Sequence, residues 1–384
     1  MSGGSAGAPA AFVPPPYPYE RLDALAKVAA AHEGGAVDLS IGTPCDPPAP
    51  AVVAALGGSG TERGYPPSIG SEALRAAARD WMRTRLGVDV PMGAIAACIG
   101  SKEFVATTPQ WLRLRRPDRD TVLYPAVAYP TYEMGAPLAG CRGVAVPGGA
   151  GGRLALERVS AADAARALAL WVNSPSNPTG ALDDLAAAAA WGRRHGVPVL
   201  SDECYAEYTW DGPPRTVLAG GLEGVVALHS LSKRSNLAGV RVGWYAGDPE
   251  LVGYLKEVRK HAGMMVPGPA QAAGVAALAD QAHVEAQRAT YRRRLERCAE
   301  VLGRWVARVG AGPIGLPAGG FYLWFDAGSM GGGWAFAERL AREGGALVGP
   351  GEFYGAGEEV ARYVRVAVVQ PDERIELVAR RLGV

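Results

Sequence analysis

Lysine is scarce in this chain. Almost all of its 39 basic residues are arginine, and lysine stands only at Lys27, Lys102, Lys233, Lys256 and Lys260. The formal net charge of +1 leaves no basic surplus to neutralise nucleic-acid phosphates or an anionic membrane surface. No apolar run approaches the length that crosses a bilayer. The first 16 residues, rich in Gly, Ala and Pro, lack the basic and apolar regions of a secretory leader. A cytoplasmic protein with a loose N-terminal lead over 1–16 is expected. The cysteines (Cys45, Cys98, Cys141, Cys204, Cys298) are odd in number and lack C-x-x-C spacing, so they read as reduced thiols. The histidines show no i, i+4 pair suited to a metal, and no metal site is expected.

What is present is a chain of 384 residues, enough for more than one lobe with a cleft between them. From about residue 70 helical and strand patterns alternate, which argues for an α/β fold with a mostly parallel sheet. Short apolar runs at Ala94–Ile99, Thr121–Leu123, Ala167–Val172, Val197–Leu200, Val225–His229 and Val240–Tyr245 read as its buried strands. Helical patterns fill Leu74–Leu86 after a Ser71 cap, Leu182–Arg194, Pro249–Ala262, Ala270–Leu278 and His283–Val309. Strands at Gly320–Phe325, Ala346–Gly349 and Tyr363–Val368, set among helices from Trp334 and Pro371, give a smaller α+β part. Val37–Ser40 reads as a strand without a neighbour of its own, so the N-terminal segment is expected to join another lobe.

Ligands of open parallel sheets gather at the carboxyl ends of strands, and each unusual cluster here follows an expected strand. The stretch "SLSKRSNLAGVR" (230–241) places Lys233 just after one, with Ser230 and Ser232 before it and Arg241 after it. Only a lysine amine can lose its proton on desolvation and attack a carbonyl. By itself it also reads as a surface lysine after a strand. "GSKE" opens a helix whose free N–H groups suit a phosphate, or is a glycine turn with a serine cap. "AYPTYE" offers Tyr129 as a flat face for a ring, or as a core plug. "NSPSNPTG" presents Asn177 from a turn of restricted residues. "SDECY" supplies Asp202, a carboxylate needing a cation if buried or else a helix cap, with Tyr205 three residues on. Together these parts make an imine-forming amine, an acid for a ring nitrogen, donors for a ring hydroxyl, an aromatic cover and a phosphate grip. That set fits pyridoxal 5′-phosphate.

With N-P-T-G at Asn177–Gly180, D-x-x-Y at Asp202–Tyr205 and S-x-S-K-x7-R ending at Arg241, the chain resembles the class I/II aminotransferases of fold type I from about Val37 onward. The resemblance implies a large cofactor-binding domain over 51–282, a small C-terminal domain over 283–384, and a segment 17–50 joined to the small one. It assigns Lys233 to the imine and proton transfer, Asp202 to the pyridine nitrogen, and Asn177 and Tyr205 to the ring oxygen. Ser101, Lys102, Ser230 and Arg241 fall at the phosphate, Tyr129 on the ring, and Arg365, Gly42 and Asn177 at the substrate. Tyr65 in "RGYPPSIG" matches a tyrosine that reaches the phosphate of a neighbouring subunit, which implies a homodimer with shared sites. "HSLSKRSNLAG" and "RKHAGMM" further resemble the actinobacterial N-succinyldiaminopimelate aminotransferases of lysine biosynthesis, with Lys102 and Arg234 expected near the succinyl carboxylate. "VPGPAQ" and "PAGGFYLWF" depart from that pattern on the substrate side. Transamination of another amino acid or secondary metabolite, or a β-lyase or decarboxylase on the same cofactor, stays open. A transcription regulator borrowing the fold would need a basic helix-turn-helix domain, and none is expected in the short stretch before Val37.

Overall fold

The computed structural model describes residues 11–149 and 152–384; the first ten residues of the N-terminal lead lie outside them, while 11–16 are exposed and without regular structure. Strands run in chain order β1 (Val37–Asp38), β2 (Ile95–Cys98), β3 (Thr121–Pro125), β4 (Arg142–Val146), β5 (Ala167–Asn173), β6 (Val199–Asp202), β7 (Val225–Ser230), β8 (Gly243–Gly247), β9 (Tyr322–Asp326), β10 (Ala346–Leu347), β11 (Gly349–Pro350) and β12 (Tyr363–Ala367). Among the described residues the large sheet has seven strands in the order β2-β8-β7-β6-β5-β3-β4. Its neighbours are parallel from β7 through β4, and β8 runs antiparallel to both β7 and β2.

The apolar runs are continuous because both faces of this sheet are covered. Along β7, Val225 and Ala227 pack into one layer while Val226 and Leu228 pack into the other. The edge strand β4 has no counterpart among the expected strands. Arg142 and Gly143 are exposed there, so its sequence lacks the buried signature. The parallel strands β3, β5, β6 and β7 end at Pro125, Asn173, Asp202 and Ser230, which brings their following loops to one edge.

Cap chemistry sets several boundaries. Asp184 accepts from Ala187 N, so the helix spans Leu185–His195 and starts later than its apolar pattern suggests. Gly196 ends it at φ +59°, a conformation glycine adopts at no steric cost. The strand expected at Val240–Tyr245 begins only at Gly243, because Arg241 sits in the left-handed region at φ +58°. The expected strand Ala346–Gly349 divides in two: β10 pairs in parallel with β1, and β11 pairs antiparallel with β12. Val37 thus finds its neighbour in Ala346, and the N-terminal segment is tied to the C-terminal part of the chain. The antiparallel sheet β11-β12-β9, the helix Gln281–Ala307 and the helices Gly333–Gly344 and Asp372–Leu382 enclose a separate apolar core. No helix of the described residues is long and apolar enough to cross a membrane.

Candidate active site

A cleft of about 410 Å³ opens at the carboxyl ends of β5, β6 and β7 and extends to Arg365 on β12. That volume suits a small-molecule ligand. Lys233 lies in the one-turn helix Leu231–Arg234 that follows β7, and its Nζ donates to the Gly42 carbonyl. Burial brings this amine down to about 8; Cys204 and Asp202 pull it upward, and Arg365 and Arg241 pull it further down. The amine is therefore accessible in its uncharged, nucleophilic form near neutrality.

Asp202, at the end of β6, faces the same cleft. Its Oδ2 accepts from the Tyr132 hydroxyl at 2.9 Å and its Oδ1 from Cys204 N at 3.1 Å. Burial raises its pKa, and the hydrogen bonds from Cys204 and Tyr132 together with Lys233 oppose that rise. Asn173, at the end of β5, donates to the Asp202 carbonyl at 2.9 Å and accepts from Asn177 N at 2.8 Å, locking the two strand-end loops together. Asn177 then accepts from Arg365 Nη1 at 2.8 Å. The Tyr205 hydroxyl is 2.8 Å from that of Tyr322.

On another wall the helix Ser101–Arg115 begins with unpaired N–H groups. Gly100, at φ +74°, precedes it, and a side chain there would run into the Arg241 guanidinium. Arg241 donates to Ser232 Oγ at 3.3 Å and to the Ala238 carbonyl at 2.8 Å. The Lys102 ammonium lies 4.7 Å from the Tyr17 ring centroid and 5.7 Å from that of Tyr129, and it donates to the Tyr17 hydroxyl at 3.2 Å. Tyr17 and Tyr129 share a hydroxyl contact of 3.1 Å. Arg365 is buried between the rings of Tyr322 and Tyr354, at 4.3 and 4.6 Å, and donates to Tyr19 at 3.0 Å and to the Ser40 carbonyl.

Gly42, Ser101, Lys102, Tyr129, Asn177, Asp202, Tyr205, Lys233, Arg241 and Arg365 all line this cleft. Ser230 does not. Its hydroxyl is buried behind the wall, bonded to Ser232, and Ser232 is the serine that faces the cavity. Tyr65 also lies off the cleft, 96% exposed. Arg234 corrects the expectation of a second cation beside Lys102: it is buried against Glu207, Gln281 and the Ala277 carbonyl, away from the cleft. Tyr17, Tyr19, Tyr132 and Tyr322 also line the cleft and are not singled out from sequence, whereas Ser232 is read there only beside Ser230 as part of a phosphate grip. Ser232 within S-x-S-K and Tyr132 within "YPTYE" had a local signal; the others depend on long-range packing.

Behind the cleft, Glu203 and His229 are both buried, 3.6 Å apart, and Glu203 Oε1 accepts from Ser201 Oγ and Val217 N at 2.8 Å. Burial raises Glu203 from 4.5 to about 7 and lowers His229 from 6.5 to about 3. The raised acid stabilises the fold fully below its unfolded value and loses that contribution as pH climbs through 7. The depressed histidine costs stability as pH falls below 6.5. Glu203→Gln removes only the first dependence. Its stability relative to wild type should rise between about pH 4.5 and about pH 8, by on the order of 3 kcal/mol at most. Calorimetric unfolding at the two pH values checks this; a constant difference would contradict it.

The model of the family described as aminotransferase class I and II matches residues 35–382. A 4-dedimethylamino-4-oxo-anhydrotetracycline transaminase of Streptomyces rimosus is 43% identical over 96% of this chain and 99% of its own. A probable aminotransferase of Mycobacterium tuberculosis is 41% identical over 96% of this chain and 85% of its own. The solved structure of a probable N-succinyldiaminopimelate aminotransferase from Thermus thermophilus superposes with a TM-score of 0.82 at 30% identity, covering 95% of this chain and 98% of that one. The chain belongs to the class I and II aminotransferases, pyridoxal 5′-phosphate-dependent enzymes of fold type I.

Proposed function

We propose that this aminotransferase moves an amino group from L-glutamate to N-succinyl-2-amino-6-oxopimelate, giving N-succinyl-LL-2,6-diaminopimelate and 2-oxoglutarate in lysine biosynthesis. The observation that carries this reading is a cation on the cleft that neither the imine nor the phosphate claims: Lys102, framed by Tyr17 and Tyr129, in addition to the buried Arg365. Two cations suit a substrate with an α-carboxylate and a distal carboxylate. The likeness to the Thermus structure supports the same choice.

The residues present fit the cofactor. Ser101, Ser232 and Arg241 converge with the first turn of a helix as an all-donor anion site, and Gly100 leaves the room that a side chain would fill. Asp202 is a buried carboxylate facing the cavity, suited to a protonated ring nitrogen. Bound there, pyridoxal 5′-phosphate supplies an aldehyde for imine exchange and an electron sink for the substrate α-carbon.

In this reading Arg241, Ser101 and Ser232 hold the phosphate, Asp202 keeps the ring nitrogen protonated, and Asn177 and Tyr205 bind the ring oxygen. Tyr129 covers the ring. Arg365, with Gly42 beside it, orients the substrate carboxylate, and Tyr19 cedes its hydrogen bond as that carboxylate arrives. Lys233, uncharged, takes the proton from the substrate α-carbon at its Nζ. We also read the protein as a cytoplasmic homodimer that shares its sites. Tyr65 projects freely, and Ile41, Val53 and Leu56 are exposed apolar residues available for a second copy. The domain assignment is part of the same proposal: 51–282 carries the cofactor, and 17–50 belongs with 283–384.

The similarity to the Streptomyces transaminase favours a second reading, a ketone of secondary metabolism accommodated against Tyr17, Tyr19 and Tyr129. Lys102→Ala separates the two. If Lys102 binds the succinyl carboxylate, the ratio of kcat/KM for the succinylated acceptor to that for pyruvate, which carries no distal carboxylate, should fall about 10- to 100-fold, the scale of one charge-assisted hydrogen bond. An unchanged ratio would count against the succinylated substrate.

A further inference from the structure

Tyr322 occupies a position that the assignments above do not use. It lies on β9, opposite Ala367, while Arg365 pairs with Trp324, so Tyr322 and Arg365 are diagonal neighbours on one face of the small sheet. Its ring lies 4.3 Å from the Arg365 guanidinium. Its hydroxyl reaches across to the Tyr205 hydroxyl at 2.8 Å, and both side chains are buried. Gly42 packs so closely against it that a side chain at 42 would strike the Tyr322 hydroxyl. The tyrosine is thus held by two elements while its oxygen bridges the small sheet to the turn after β6.

We propose that Tyr322 is a positioning residue that donates its hydroxyl proton to Tyr205 and so strengthens the hydrogen bond that Tyr205 gives to the oxygen of the cofactor ring. This rests on the assignment of Tyr205 to that oxygen. The direction follows from counting protons. A tyrosine hydroxyl has one proton, and if Tyr205 spends it on the ring oxygen, its contact with Tyr322 can only be one in which Tyr322 donates. Chains of hydrogen bonds polarise one another, so the terminal bond is stronger with Tyr322 in place. The charged and titratable groups facing the pair are Arg365 from β12, Tyr19 from the N-terminal segment, Tyr354 after β11, Cys204 beside Tyr205, and Asp202 and Lys233 on the same cleft. Arg365 is the cation in direct contact with the Tyr322 ring, and its field favours hydroxyl polarisation toward donation.

A pH titration of visible absorbance in the cofactor-loaded protein tests this. Donation to the ring oxygen favours its anionic, deprotonated form, so losing the donor raises the titration midpoint. Tyr205→Phe should raise it by about one to two pH units, and Tyr322→Phe by about 0.2 to 0.5 in the same direction. The double variant should match Tyr205→Phe alone, because Tyr322 acts only through Tyr205. Tyr322→Phe keeps the ring on Arg365, so KM for glutamate should hold near its wild-type value. A wild-type midpoint in Tyr322→Phe, or additive shifts in the double variant, would overturn the proposal while leaving Tyr205 in its role. A wild-type midpoint in Tyr205→Phe would overturn the underlying assignment as well.

Discussion

Replacing Lys233 by alanine should abolish transamination, lowering turnover by about four powers of ten or more, the upper end of what a positioned proton-transfer group contributes. In the proposed reading two functions disappear together: the amine that forms the imine and the base at the substrate α-carbon. Lys233→Arg should be equally inactive, although it restores a positive charge, because a guanidinium does not lose its proton in a protein. That pair of variants isolates the chemistry from the charge. Borohydride reduction of the loaded wild-type protein should fix the cofactor to the peptide containing Lys233, and neither variant should be labelled there. Added ethylamine should partly restore the alanine variant by entering the space of the missing side chain. Normal turnover in Lys233→Ala would remove the mechanism.

Asp202→Asn is expected to have the next largest effect. The asparagine keeps the shape of the site and can still engage Tyr132 and Cys204 N, the two partners of the native carboxylate. What it loses, in the proposed reading, is the charge opposite a protonated ring nitrogen. Breaking a buried, hydrogen-bonded charge pair costs about 2 to 5 kcal/mol, so kcat should fall between about 30- and several thousand-fold. Cofactor affinity should fall with it, which equilibrium dialysis measures independently of turnover. Unchanged kcat with unchanged cofactor affinity would show that Asp202 does not pair with the ring nitrogen.

The parts of this site legible in the sequence are those written on contiguous residues at strand ends. Lys233 and Asn177 follow a buried apolar strand within a few residues and Asp202 ends one, so strand pattern and chemistry could be read together. Side-chain direction was less legible. Lys233 and Arg234 are adjacent on a helical turn, where successive residues point about 100° apart, so one enters the cleft and the other turns inward to Glu207. Ser230 ends a strand while Ser232 stands in the following turn, and only the latter reaches the cavity. Tyr19, Tyr322 and Arg365 meet across long stretches of chain through packing that no local pattern records. The same holds for the fold: buried central strands were readable, whereas the half-exposed edge strand Arg142–Val146 and the division between β10 and β11 were not.

The measurement that bears most directly on the account is a single-turnover visible spectrum of the cofactor-loaded protein, mixed separately with N-succinyl-LL-2,6-diaminopimelate, L-glutamate and L-aspartate. The account predicts rapid loss of the visible band with both glutamate and the succinylated diamine as the amino group passes to the cofactor. A band that bleaches with glutamate but persists with the succinylated compound would contradict the assigned acceptor, and a protein that takes up no cofactor would contradict the role of Lys233 itself.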